Sequence, residues 1–192
     1  ESLAENGRYK GGFHFGDWLF YRPNDDNDGR AAVTSKELIA QSFFTYSVEI
    51  IKNAAKALNN ISDFEYYSVL HKVAKKAFTE EFITPSGRLI SETQTAYVLA
   101  LQFNLFPESL KAQAVDRLVA NIESYDTHLT TGFLGTPFLC HVLSQNGRSD
   151  IAVKLLLQKS YPSWLYPVTQ GATTIWERWD GLKPNGDTQT PS

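Results

Sequence analysis

Two short stretches carry the residue types from which acid–base chemistry is built. "FGDW" (Phe15–Trp18) sets the carboxylate of Asp17 beside a large aromatic ring. "GATTIWERWDG" (171–181) sets Glu177 and Arg178 between Trp176 and Trp179, with Asp180 following. A carboxylate can move a proton, and a tryptophan face can pack against the C–H face of a sugar ring. Together the two stretches point to carbohydrate chemistry run by carboxylates and framed by aromatic rings. Each has a plainer reading, in which the tryptophans plug a core and the charged residues cap turns or pair at the surface.

The other chemistry-bearing residues are weaker signals. His14, His71, His128 and His141 share no metal-ligand spacing, and Cys140-His141 lacks further ligands, so neither a metal site nor a cofactor is expected. His128, in the loop "THLTTGFLG", is the histidine best placed for a polar role at a site. "NDDNDG" resembles the start of a calcium loop through Asn24, Asp26, Asp28 and Gly29. The twelfth place holds Ser35 where a bidentate glutamate is needed, so a solvated acidic turn is the expectation. Asn60-Ile61-Ser62 is a formal glycosylation acceptor that also serves as an ordinary helix–helix turn.

The elements that must position these residues are helical. Residues 1–31 are rich in Gly, Asn, Asp and Pro and read as loop. From Ser35, an expected N-cap, apolar residues recur at helical spacing through Leu38, Phe43, Tyr46, Ile50, Ala54 and Leu58. A second helix is expected in "SDFEYYSVLHKVAKKAFTEEFI", capped by Ser62 or Asp63. A third lies in "SETQTAYVLALQFNLF", and Pro107 opens a fourth. "TPFLCHVLSQNG" is a fifth, stopped by Gly147, and "SDIAVKLLLQKS" a sixth; the segment 171–181 is expected to be irregular or short strand. Six helices in sequence make three helix hairpins, an all-α chain without β–α alternation. "AYVLALQFNLF" is apolar around most of its circumference, which suits a layered or toroidal helical architecture.

The bulk numbers agree with a single helical unit. The chain has 192 residues, 42% hydrophobic and 20% charged, and a net charge of −3 with no Lys/Arg cluster, which speaks against a nucleic-acid partner. Aromatics are abundant at 13%. No apolar run reaches 18 residues, so no membrane span is expected. One cysteine rules out an intrachain disulfide, and the absence of any Met reads as a processed or excised piece.

"FGDWL", "THLTTGFLGTPFLCHVLSQNG" and "YPSWLYPVTQGATTIWERWDG", in that order, closely resemble the catalytic domain of bacterial α-L-rhamnosidases, glycoside hydrolase family 78. The resemblance runs from about Gly11 to the end and implies part, about half, of an (α/α)6 toroid, so that residues 1–192 are one segment incomplete at both ends. It implies inverting hydrolysis of terminal α-L-rhamnosides, with rhamnose-containing oligosaccharides or glycosides as partners. Glu177 matches the general base. Asp17 and Trp18 match the loop lining the rhamnose subsite, while Trp176 and Trp179 flank the base. The family's general-acid motif has no match here and is expected upstream of residue 1, so the segment alone should be inactive. Half a toroid leaves an apolar face for the rest of the barrel or another chain to cover. The family points to a periplasmic or secreted compartment rather than the cytoplasm. Two alternatives stay open: another (α/α)6 carbohydrate-active enzyme, and a non-enzymatic helical binding module.

Overall fold

The computed structural model describes residues 4–21 and 33–188. The acidic run at 24–29 falls outside them. Among the described residues, two short strands, β1 (Ala4–Glu5) and β2 (Arg8–Tyr9), precede seven helices. These are α1 (Lys36–Ala57), α2 (Ile61–Phe82), α3 (Gln94–Gln102), α4 (Glu108–Ser124), α5 (Thr136–Gln145), α6 (Ser149–Leu157) and the short α7 (Leu165–Thr169).

α1/α2, α3/α4 and α5/α6 pack as hairpins, and α3 touches both α1 and α5. α1, α3 and α5 thus form one layer, and α2, α4 and α6 back it as a second. This is the double layer of an (α/α)6 toroid, of which three hairpins are half. The inner layer is joined by aromatic contacts around Phe103. Its ring stacks on Tyr46 of α1 at 4.3 Å and meets Phe43 of α1 and Phe138 of α5 edge-on at 5.2 and 5.7 Å. α3 sits in the middle, and every residue from Gln94 to Ala100 is buried, as its all-round apolar pattern requires.

Local signals set most boundaries. Ser35 Oγ accepts from Leu38 N at 3.2 Å and starts α1, as expected. Gly147, at φ +77°, stops α5 while Arg148 N donates back to Leu143 O at 2.8 Å. Two boundaries differ from expectation. α2 is capped by Asn60, whose Oδ1 accepts from Asp63 N at 3.2 Å, rather than by Ser62 or Asp63. Asn59 takes a left-handed φ of +54°, which turns the chain early and hands the cap to its neighbour. Pro107 is the N-cap of α4, extended at ψ 143°, and Glu108 is the first helical residue.

The β1–β2 hairpin replaces part of the expected loop. Gln41 of α1 holds it in place: its Nε2 donates to Gly7 O (2.8 Å) and Ala74 O (3.1 Å), and its Oε1 accepts from Tyr9 N (2.7 Å). Gly7 lies so close to α2 that a Cβ would fall 2.7 Å from Val73 Cγ1. Residues 171–181 form turns and bends, and α7 precedes them.

Candidate active site

The caps of α1 and α3 meet at one end of the inner layer, where the hydroxyls of Thr34 and Thr93 lie 2.6 Å apart. The loop leading into α5 joins them there. Gln94, the first residue of α3, donates from Nε2 to His128 O (3.0 Å) and accepts from Thr130 N (2.9 Å). The N-terminal ends of α1, α3 and α5 therefore share one mouth, and the loops that precede them line it.

Asp17 is the knot of this mouth. It is 4% exposed, and its carboxylate accepts four hydrogen bonds. Oδ2 accepts from Thr95 Oγ1 (2.5 Å) and Gly132 N (2.8 Å); Oδ1 accepts from Leu134 N (2.8 Å) and Gly135 N (3.2 Å). The last two donors sit at the N-terminus of α5, where a negative charge is favoured. The "FGDW" loop is clipped to the same segment by Phe133 N donating to Trp18 O (3.0 Å) and Tyr21 N donating to Thr130 O (3.1 Å). Gly132 makes this approach possible, since a Cβ there would lie 2.3 Å from Trp18 O.

The "WERW" stretch reaches the same loop one residue away. Trp179 Nε1 donates to Thr131 O at 2.7 Å, and the Trp179 ring meets Trp164 edge-on at 5.6 Å. Trp176 is half-buried and packs edge-on against Tyr166 of α7 at 6.4 Å. Arg178 and Asp180 form a two-pronged ion pair, Nε–Oδ1 2.6 Å and Nη2–Oδ2 3.2 Å. Trp164, Trp176, Arg178 and Trp179 line a cavity of about 230 Å³, with Pro167 and Thr174. Glu177 is not among its lining residues and is exposed to solvent.

Each expected residue thus has a place. Asp17, Trp18 and Trp179 are tied to three consecutive residues of one loop, Thr131 to Phe133. Glu177 and Trp176 follow on the segment that Trp179 anchors. Asp17 has both oxygens engaged by protein donors, so it holds the mouth together and leaves no lone oxygen for a ligand. His128 is likewise occupied: Nδ1 lies 2.8 Å from Tyr125 O and Nε2 2.9 Å from Ser160 Oγ, so the ring brackets two loops.

Thr95, Thr131, Tyr21 and Tyr161 complete the mouth without having been singled out by sequence. Tyr21 and Tyr161 meet edge-on at 5.5 Å. Burial raises the pKa of both hydroxyls, with the negative charge of Asp180 adding to the effect. Both therefore stay protonated in any neutral solution. Among the described residues no group of three His, Cys, Asp or Glu side chains could hold a metal ion, and no helix is long and apolar enough to cross a membrane.

Residues 3–192 match the family model described as the bacterial alpha-L-rhamnosidase 6 hairpin glycosidase domain. Among curated proteins, the chain is 43% identical over 177 residues to an alpha-L-rhamnosidase of Streptomyces avermitilis, covering 92% of this chain and 16% of that protein. It is also 43% identical to one of Alteromonas sp., covering 90% of this chain and 20% of the relative. The chain thus spans a fifth or less of the curated relatives it matches. Among solved structures, the Streptomyces avermitilis alpha-L-rhamnosidase complexed with L-rhamnose superposes with a TM-score of 0.88 at 39% identity, over 98% of this chain and 17% of that one. The native Aspergillus terreus enzyme superposes at 0.89 and 36% identity, over 97% of this chain and 22% of that one.

Proposed function

Because this chain belongs to the bacterial α-L-rhamnosidase six-hairpin glycosidase family, we propose that it supplies half of the catalytic barrel of an inverting α-L-rhamnosidase, with Glu177 as general base. The substrates are terminal α-L-rhamnosides of oligosaccharides or other glycosides. Inversion uses two carboxyl groups about 6.5–9.5 Å apart, one protonating the glycosidic oxygen and one activating water on the opposite face of the sugar. Glu177 takes the proton of the attacking water. No residue of this chain matches the family's general acid, which belongs to the half of the barrel facing it.

The observation that carries the reading is the meeting of two distant stretches on adjacent residues. Asp17 accepts from Gly132 N, and Trp179 donates to Thr131 O. The "FGDW" and "WERW" motifs are thereby brought to one mouth, with Glu177 two residues from the anchored ring and open to solvent. Trp176 and Trp179 hold the backbone on either side of Glu177 and supply stacking surface, Trp18 sits on the adjoining loop, and Asp17 and His128 position the loops.

In the whole enzyme that carries this chain, Glu177→Gln keeps the shape and removes the base. We expect kcat on a rhamnoside to fall about 10²–10⁴-fold with KM little changed. Azide, a small nucleophile that needs no deprotonation, should restore part of the rate. Near-normal turnover of the variant would make Glu177 structural and sink the assignment.

A further inference from the structure

The first hairpin overhangs its neighbour. α1 and α2 have 22 residues each and α3 only 9. With α1 and α3 starting together at the mouth, the last turns of α1 and the first turns of α2 run past the connection from α3 to α4. On that overhang the two helices enclose a cavity of about 310 Å³. Lys52, Asn53 and Lys56 of α1 line it, with Ser68, His71 and Lys72 of α2, and no carboxylate does. Lys52 and Lys56 lie one turn apart, and Ser68, His71 and Lys72 fall on one stripe of their helix. Three ammonium groups that the sequence separates therefore meet over one cavity.

The cavity lies on the side of the hairpin that this chain's own second hairpin adjoins. Tyr46, on the same stripe of α1 as Asn53, stacks on Phe103 at the end of α3. Lys75, one turn past His71, lies in the field of Lys111 and Glu108 on α4. The site is also remote from the mouth. Lys52 is more than four turns along α1 from Lys36, roughly 24 Å at about 1.5 Å per residue.

Its positive charge is poorly balanced from within. Glu49 lies 3.6 Å from Lys52 Nζ, but among the described residues Lys56, Lys72 and Lys75 have no ion-pair partner. The Lys52 side chain is only 18% exposed, low for a lysine. His71 is half-buried, and its Nε2 is shut off from solvent without a hydrogen-bond partner. Such a nitrogen costs free energy until a partner meets it. Burial first and Lys52 next lower the pKa of His71, and burial and Lys111 do the same for Lys75. Cations crowded in this way are relieved by a bound anion.

We infer that the cavity between α1 and α2 binds an oxyanion, a phosphate or sulfate group either free or carried on a small molecule. Lys52, Lys56 and Lys72 supply the charge, while Ser68 Oγ, Asn53 Nδ2 and His71 Nε2 donate to the remaining oxygens. Six donors from two helices match the several oxygens of such a group better than the two of a carboxylate. At about 310 Å³ the cavity is of small-molecule size, so the group can arrive on a carrier.

Calorimetric titration of the whole enzyme that carries this chain tests the site with inorganic phosphate, inorganic sulfate, glucose 6-phosphate and glucose 6-sulfate, in chloride buffer of matched ionic strength. Binding is read without turnover, so the result stands apart from the rhamnosidase reading. We expect one site per chain. Lys56 and Lys72 are exposed, so Lys56→Glu/Lys72→Glu should leave the fold intact. It should weaken binding at least about a hundredfold, since each charge-assisted hydrogen bond is worth about tenfold or more. Lys154→Glu/Lys159→Glu, on the third hairpin, changes the net charge equally and should move the affinity less than about twofold, because solvent screens distant charges. Esters that bind at least about tenfold more tightly than the inorganic ions assign the site to a carried group, and equal affinities assign it to the free ion; either outcome supports the oxyanion site. Equal weakening by both lysine pairs would show general charge attraction and overturn it, as would binding of none of the four probes.

Discussion

Asp17 holds the mouth through four hydrogen bonds, three of them from backbone N–H groups at the entry to α5. Asparagine is nearly the same size but has one acceptor where the carboxylate has two. Asp17→Asn therefore sets an NH₂ against one pair of donors, and Asp17→Ala leaves all four buried and unmet. Hydrogen bonds to a buried charge are worth about 1.5–3 kcal/mol, so both variants should lower the melting temperature of the whole enzyme, alanine further. A melting curve unchanged by Asp17→Ala would remove the anchoring role. Tyr161 offers a test through pH. Burial raises its pKa above the ordinary value, so the neutral hydroxyl is favoured in the folded state. Its contribution is intact below about pH 10 and fades as pH rises past that, because the unfolded tyrosine ionises first. Tyr161→Phe should flatten the alkaline decline of the melting temperature between about pH 9 and 11. A decline as steep as wild type would place the alkaline sensitivity elsewhere.

At the scale of elements, the loop 127–135 does more than connect α4 to α5. It is gripped from behind by Gln94 and receives Asp17, Trp18, Tyr21 and Trp179 along its length. Gly132 is where two backbones come closest. An added Cβ would sit 2.3 Å from Trp18 O and 2.7 Å from Phe20 N, and backbone atoms cannot swing aside as side chains do. Gly132→Ala should destabilise by roughly 1–3 kcal/mol, as overpacking does. It should also cut activity by prying "FGDW" from its loop. Chemical denaturation checks the first effect and rhamnoside turnover the second, and full stability with full activity would show that the loops are not braced there. The element boundaries show which local signals were sufficient. Ser35 and Gly147 act within one helical turn, so their roles were legible from sequence. The cap of α2 was not, because Asn60, Ser62 and Asp63 are all competent and the left-handed turn at Asn59 chose among them.

At the scale of the whole molecule, three hairpins curve but do not close. Ile50, Leu58, Ile61, Tyr66 and Val69 are exposed on the first hairpin, and Leu156 and Leu157 on the third. Residues 1–192 expressed alone should therefore bind a hydrophobic dye and self-associate, by light scattering, and show no measurable rhamnosidase activity, since acid assistance is worth about 10²–10⁴-fold. A monodisperse, dye-free monomer would mean that the open edges are satisfied within the chain, and strong activity would mean that it carries an acid of its own.

The helices, their pairing into hairpins and the motifs of the mouth were written in the sequence, because periodicity, caps and stops act over a few residues and the motifs are contiguous. Glu177, Trp176 and Trp179 stand together on one contiguous stretch. What Asp17 and His128 do was decided only in three dimensions. Asp17 meets donors up to 118 residues away, and His128 meets Ser160, 32 residues on. A carboxylate beside a tryptophan reads alike whether its oxygens face a sugar or a backbone, and the partners that settle it come from loops the fold alone makes neighbours. The β1–β2 hairpin escaped notice for a related reason. Two-residue strands carry no pattern, and the hydrogen bonds of Gln41, more than thirty residues on, hold them in place.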